Sequence, residues 1–189
     1  MKLNLGCGQK KLPGFINVDL HGEPDERWNL EKLPWPWPDN AADEIQLLHV
    51  LEHLGRDSQS FIGIMKELYR VAAPGCTIRI VVPHPRHDDF LNDPTHVRPI
   101  TPDLLTLFSK KYNLRWQAMG AANSPLALYH DIDFEIVAVS SELDEPYASA
   151  YRNGSLSEEQ LKNAIRAYNN VIRASTIDLR AVKAASAAG

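Results

Sequence analysis

The sequence predicts an α/β domain built on a mostly parallel sheet, and three observations carry that prediction. Short β-branched or apolar runs alternate with helical stretches, the pattern of parallel strands covered by helices. A strand opening at the second residue runs directly into Gly6-Cys7-Gly8, and the next strand closes on Asp19. Glycines in that place let the backbone approach a ligand closely, at the carboxyl edge where open α/β sheets bind. Finally, 189 residues, 44% hydrophobic and 23% charged, are the profile of one ordinary globular core.

Taken in order, the expected strands are Lys2–Leu5, Phe15–Val18, Glu44–Leu48 and Thr77–Val82, with later ones at Arg115–Met119 and Phe134–Ser140. The clearest helix is Ser60–Ala72, whose Phe61, Ile64, Met65, Leu68 and Val71 share one face before the stop signal Pro74-Gly75. Thr101-Pro102 caps and opens another, which carries Leu104, Leu105, Leu107 and Phe108. Residues 21–42, proline-rich and with three tryptophans, read as irregular loop. In the tail, Leu161, Ile165, Tyr168, Ile172, Leu179 and Val182 recur at helical intervals, behind a capping box of Ser157 and Gln160. The expectation is therefore a domain over residues 1–150 and one amphipathic helix over 151–189. Such a helix must rest its apolar stripe on the body of the chain or on a second copy, so a homodimer through it is one expected partner.

Charge and cysteine usage exclude several classes. The tail carries six basic and three acidic side chains, which leaves −7 for the first 150 residues of a chain whose total is −4. Nothing there builds the basic field that a phosphate backbone requires, and extended nucleic acid is not an expected partner. No apolar run is long enough to span a bilayer, and the opening MKLNLGCG has neither the basic leader nor the apolar stretch of a signal peptide. Cys7 and Cys76 make no metal-ligand spacing and no disulfide framework, which fits free thiols in a reducing compartment. The expected location is the cytoplasm.

An acid closing the second strand can accept both hydroxyls of a ribose, so Asp19 with Gly6 and Gly8 suggests a nucleoside-containing cofactor. Further motifs follow in order: Leu33-Pro34-Trp35, Asp43-Glu44-Ile45, His49-Val50-Leu51-Glu52-His53-Leu54, and Glu67-Leu68-Tyr69-Arg70-Val71 with Pro74-Gly75. Together with Leu3-Asn4-Leu5-Gly6-Cys7-Gly8 and Asn17-Val18-Asp19, this succession over residues 2–110 resembles the class I S-adenosylmethionine-dependent methyltransferases, and most nearly their type 11 domain family.

The resemblance implies a Rossmann-like sandwich and S-adenosylmethionine as cofactor. It implies that Gly6, Cys7 and Gly8 form the loop under the methionine part and ribose, and that Asp19 holds the ribose hydroxyls. By the same resemblance Asn29 would contact the adenine amine, Leu30 would pack the ring, and His49 would offer its backbone near the methionine amino group. Three departures stand against the family pattern. Asn4 occupies the place of an acid. Only residues 6–14 connect the first two strands, so the first helix must shrink to a turn. Residue 2 already opens the first strand, so the cavity is expected to be closed by the C-terminal helix or a second subunit rather than by a preceding helix. A dinucleotide fits less well, because the loop lacks the third glycine and the helix that would receive a pyrophosphate.

Residues 83–100, just past the fifth strand, hold His84, His87, His96 and three acids within thirteen positions. Methyl transfer from a sulfonium is an in-line displacement, so the protein must align a nucleophile and remove its proton. Histidine suits that removal near neutral pH. His84 and His96 are the expected catalytic residues, with Asp88 or Asp93 orienting an imidazole and Arg86 or Arg98 clamping an anionic acceptor. His96 equally satisfies a turn at Asp93-Pro94-Thr95, and both readings stay open. A divalent metal is an alternative occupant of the cluster, but the prolines obscure ligand convergence and no metal ligand is assigned. Glu52 and His53 resemble a recurrent family pair whose role is either catalytic or a helix-end hydrogen bond. Trp35-Pro36-Trp37-Pro38 reads better as a rigid apolar lid on the sheet than as an adenine platform. The expected function is methyl transfer to an oxygen or nitrogen of a small or medium acceptor. The alternative is a non-catalytic module that docks through its C-terminal helix.

Overall fold

Seven strands form one sheet in the order β3-β2-β1-β4-β5-β7-β6, in a computed structural model that describes residues 1–183. They are β1 (Lys2–Leu5), β2 (Ile16–Asp19), β3 (Glu26–Arg27), β4 (Ala42–Leu48), β5 (Ala72–Pro83), β6 (Phe134–Leu143) and β7 (Ile172–Ala181). Strands β1 to β5 pair in parallel, and β7 runs antiparallel between β5 and β6. The helices are α1 (Ser58–Val71), α2 (Asp88–Leu91), α3 (Pro102–Thr106), α4 (Lys110–Ala118), α5 (Leu126–His130), α6 (Tyr147–Arg152) and α7 (Glu158–Ala167).

Local chemistry accounts for the elements that position the site. Asp57 caps α1 by accepting from the Gln59 and Ser60 amides, and the predicted stripe Phe61, Ile64, Met65, Leu68 and Val71 is buried. Those side chains meet Leu3, Leu5, Ile45, Leu47, Ile78 and Ile80 of the sheet in one core. The tryptophan loop is packed shut: Trp35 and Trp37 are buried edge-to-face at 5.8 Å. Glu67 accepts from the Trp35 amide while Arg70 donates to the Trp35 and Trp37 carbonyls. The loop is the expected lid and not a ligand platform.

The short crossover after β1 contains no helix, as expected, and two buried asparagines hold it instead. The Asn4 side-chain amide donates to the Asn17 side-chain Oδ1 at 2.8 Å and to the Lys10 backbone carbonyl at 3.0 Å. Asn17 accepts from the Leu12 amide and donates to the Leu12 and Phe15 carbonyls and to Asp25. Lys11 and Asn17 in turn hold the Asp25 carboxyl down to about 2.

Register places Asn17, Asn4, Gln46, Arg79 and Asp178 in one row across the sheet, beside the row Lys2, Glu44, Thr77 and Arg180. Several of these side chains are solvent-exposed and paired with one another, as in Lys2 with Glu44 and Arg79 with Asp178. The expected sandwich is therefore completed on one face only over β4, β5 and β7. The opposite face is polar because no apolar helix lies in the shortened first crossover to cover it.

Two further expectations are corrected. The single helix over 151–189 does not form: α6 and α7 are short, and Ile172 and Leu179 belong to β7, inside the sheet. Asn170 adopts a left-handed φ of 57° and turns the chain out of α7, and from Ile177 onward buried residues alternate with period two. Among the described residues, Leu161, Ala164 and Val171 pack into a small cluster with Leu143, Tyr147, Leu156 and Ile165 of the same chain. The rest of that expected helix, residues 184–189, lies outside the described residues. The strand expected at Arg115–Met119 is instead the end of α4, because buried Asn113 ties that helix to the Leu107 carbonyl and the Ala127 amide. Among the described residues, no helix is long and apolar enough to cross a membrane.

Two stability predictions follow from these contacts. A chain ending at residue 150 loses the strand that joins β5 to β6, and it will show no cooperative thermal transition by far-UV circular dichroism. Asn17→Ala strands several buried polar groups and will lower the unfolding free energy in urea by about 2–4 kcal/mol, whereas exposed Gln59→Ala will stay within about 0.5 kcal/mol of wild type.

Candidate functional site

The carboxyl ends of β1, β2 and β4 surround a cavity of about 590 Å³. Its wall includes Gly6, Gly8, Asp19, Asn29, Leu30 and His49, which are six of the seven cofactor residues expected from the sequence. Gly6 has φ +68°, and a Cβ there would lie 2.4 Å from a Val50 methyl carbon, so only glycine lets the loop close onto the end of β4. Gly8, at φ +51°, faces open space. Cys7, the seventh expected residue, does not line the cavity: it is buried, and burial and then the Asp19 charge raise its pKa.

The loop's amides are already committed. Gly6 and Cys7 both donate to the Val18 carbonyl, at 2.8 and 3.0 Å, and Gly8 donates to Asp19 Oδ2 at 2.8 Å. Such a loop has no converging N–H groups to offer a pyrophosphate, which argues against a dinucleotide. Asp19 Oδ1 also accepts from the His21 amide, at 2.9 Å. The two bonds fix the carboxylate at the end of β2, and each oxygen keeps a lone pair for a hydroxyl. The Asn29 side chain accepts from the Glu31 amide through Oδ1, which leaves its NH2 group for a ligand. Leu30 is buried, and Trp28 and Leu54 supply further apolar wall. Trp28, one position before Asn29, is a lining residue that the sequence reading did not single out.

His49 turns the chain at the end of β4 with a left-handed φ of 59°. Its amide donates to the Val81 carbonyl, so the group it can offer a ligand is its own carbonyl. His49 and His53 also line a second cavity of about 390 Å³, together with Glu52, Asp89, Asp93, His96, Glu142 and Arg173. The two cavities therefore meet at these two histidines.

The histidine segment divides. His96 is brought to the second cavity, with its ring stacked on Phe90 and 4.6 Å from the His53 ring. Its Nδ1 lies 2.9 Å from the Phe90 carbonyl, so Nδ1 carries the proton and Nε2 the lone pair. The His53 Nδ1 is 2.9 Å from the Thr95 hydroxyl, which itself donates to Asp93. His53 Nδ1 is thus also the donor, which leaves its Nε2 free of that bond, while Asp93 Oδ2 stands 3.8 Å from His96 Nε2. His84 lines neither cavity, and burial, then repulsion from Arg86 and His87, holds its pKa below the usual histidine value.

The candidate clamps serve the scaffold. Arg86 donates to the Ile165 and Arg166 carbonyls at the end of α7, and Arg98 donates to the Gly55 carbonyl with its guanidinium over the Phe61 ring. Asp88 is held through its amide by Asn170, whereas Asp93 does buttress His53 through Thr95. Arg173 and Glu142, from β7 and β6, complete the lining, and Arg173 donates to Asp89 Oδ2 at 3.0 Å. Arg173 was hidden by the helical reading of its segment, and the turn-forming Asn169-Asn170 pair was the signal available.

Comparison with known proteins places the fold. No family model matches the chain, and no curated protein matches it. Solved structures do match: a SAM-dependent methyltransferase from Archaeoglobus fulgidus is 18% identical over 95% of this chain and 85% of its own, with a TM-score of 0.60. A SAM-dependent methyltransferase from Methanosarcina mazei is 14% identical over 97% and 92%, with a TM-score of 0.55. The [4+2]-cyclase SpnF is 15% identical over 97% of this chain and 75% of its own, with a TM-score of 0.53. The chain has the fold of these proteins, and since one of them is named a cyclase, the fold alone does not fix the reaction.

Proposed function

We propose that this protein binds S-adenosylmethionine in the cavity at the carboxyl ends of β1, β2 and β4, and directs methyl transfer to an oxygen or nitrogen of a small or medium acceptor in the adjoining cavity. The motif order over residues 2–110 supports a member of the type 11 methyltransferase domain family. The observation that carries the reading is the pairing of a committed glycine loop with a fixed Asp19 carboxylate across one cavity. That pairing suits a ribose and a sulfonium, and it offers nothing to a phosphate.

The cofactor supplies an activated methyl group, and the protein supplies alignment and proton transfer. Asp19 accepts the ribose hydroxyls. Asn29 would donate to the adenine, and Trp28, Leu30 and Leu54 would supply its apolar wall. The His49 carbonyl faces the ammonium, and with Asn4 tied into the scaffold no acid assists it. On the acceptor side the bare Nε2 atoms of His96 and His53 are the groups suited to take a proton, and His84 is not. The −7 balance of residues 1–150 keeps extended nucleic acid outside this reading. The alternative of a module docking through its C-terminal helix loses its premise with that helix.

Isothermal titration will show S-adenosylmethionine and S-adenosylhomocysteine binding at one site per chain, while NAD gives no heat. Asp19→Ala will weaken both ligands by about tenfold or more, the loss of hydrogen bonds to a charged group. Silence from both ligands in wild-type protein, or an Asp19→Ala isotherm that overlays the wild type, refutes the reading. Gly6→Ala will also abolish binding, because its Cβ displaces Val50 from the cavity floor. Val50→Ala in the same chain will recover part of the affinity, measured by the same titration.

A further inference from the structure

Glu52 is the least explained residue in the structure. Its side chain is 1% exposed, yet among the described residues neither carboxylate oxygen has a hydrogen-bond partner. A buried, unpartnered carboxylate is costly, and its presence calls for an absent counter-group. The nearest basic atom recorded beside it is His49 Nδ1, at 3.7 Å from Oε1 and beyond hydrogen-bond reach.

Two other groups point at the same place. A carboxylate oxygen of Glu52 and one ring nitrogen each of His53 and His96 all lie within 4.8 Å of one another. The Nδ1 atoms of both histidines are engaged with the Thr95 hydroxyl and the Phe90 carbonyl, which leaves each Nε2 as the ligand atom. Backbone carbonyls and hydrogen-bonded side chains in that outer position fix the tautomer and orientation of metal-binding histidines. A buried carboxylate facing two imidazole nitrogens is stabilised when a cation joins them. Ligand atoms around a small divalent ion with bonds near 2.1 Å stand about 3–3.5 Å apart, so closing the cluster takes side-chain shifts of about an ångström.

We propose that Glu52, His53 and His96 bind a divalent transition-metal ion of the zinc type. Two imidazoles and one carboxylate favour such an ion over Mg²⁺, which prefers oxygen and water. The ligands come from the turn after β4 and the loop after α2, and both are held to the scaffold: the Val97 and Arg98 amides donate to the Glu52 carbonyl. Three protein ligands leave coordination positions open toward the second cavity.

Resting on the methyl-transfer reading, this identifies the acceptor as one that presents oxygen to the ion, such as a hydroxyl beside a carboxylate or a second hydroxyl. Positive charge there lowers the pKa of an acceptor hydroxyl, so His53 and His96 act as ligands, and the proton leaves to His49 or solvent.

The test uses the full chain without cofactor, so its failure is separate from any failure of S-adenosylmethionine binding. Zn²⁺ titrated against a chromophoric chelator should bind once per chain, at about micromolar affinity or tighter, and resist displacement by about a thousandfold excess of Mg²⁺. Glu52→Gln, His53→Ala and His96→Ala should each weaken Zn²⁺ binding by about tenfold or more, and His130→Ala, outside both cavities, should not. Zn²⁺ should raise the Tm of the wild type and leave that of His96→Ala unchanged. If Glu52→Gln does not fold, the two histidine variants at the cavity wall decide the matter. No Zn²⁺ binding by wild type, or binding equal in His53→Ala and His96→Ala, overturns the proposal and leaves methyl transfer with His96 as its base.

Discussion

The hydrogen bond between the buried amides of Asn4 and Asn17 governs how the rest of this molecule is arranged. A parallel crossover ordinarily needs a dozen or more residues, because a helix must carry the chain back across the sheet. Here residues 6–15 make the return, and a coil of that length exposes backbone groups that a helix would have satisfied internally. The two asparagines take over that duty, joining the Lys10 and Leu12 carbonyls and the Leu12 amide to adjacent strands. An acid at position 4 would lack the amide donor that Lys10 and Asn17 both use. The local charge usual in the resembled family gives way to a neutral donor because the scaffold requires one.

That substitution propagates along the sheet. Asn4 sits in the same transverse row as Gln46, Arg79 and Asp178, and with no helix above them those positions are polar and paired. The apolar half of each strand is then left to a single layer of helices, led by α1. Gly6 is pressed onto Val50 in this arrangement, so the turn after β1 and the end of β4 form one continuous floor. The cavity's shape is thus a consequence of the short crossover as well as of the glycines.

Much of this was legible in the residues. Strands β1, β2, β4, β5 and β6, the α1 stripe, the reduced first helix and most of the Gly6 to His49 cavity follow from local patterns whose cause is local. What was not legible depends on contacts between distant residues. Arg115 to Met119 alternates like a strand, but buried Asn113 and the absence of an adjacent strand edge make it helix. Residues 161–182 offer seven-residue spacings that fit a helix as far as Tyr168, after which Asn169-Asn170 and a β-branched run favour a strand. Weighing the Asn pair as a turn would have divided the segment correctly. His84 and His96 were equivalent in sequence, and only the turn at Asp93-Pro94-Thr95 and the packing of Phe90 separate them. Its part in that turn and its place at the cavity turn out to be compatible in His96.

The junction between the two cavities shows what the left-handed turn at His49 accomplishes. A non-glycine residue in that region costs about 1 kcal/mol or more, and it persists only where surrounding contacts over-determine it. Here the Val81 carbonyl holds the His49 amide, and Val50 is fixed against Gly6. An extended residue at this point would continue β4 past the sheet edge and carry Glu52 and His53 away from the Asp93 to His96 loop. The turn instead folds the chain back at once, so that one short segment gives its carbonyl to the first cavity and its imidazole and carboxylate to the second. The two cavities thereby share one short stretch of chain, residues 49–53. The displacement proposed here needs that closeness, and the fixed turn at His49 supplies it.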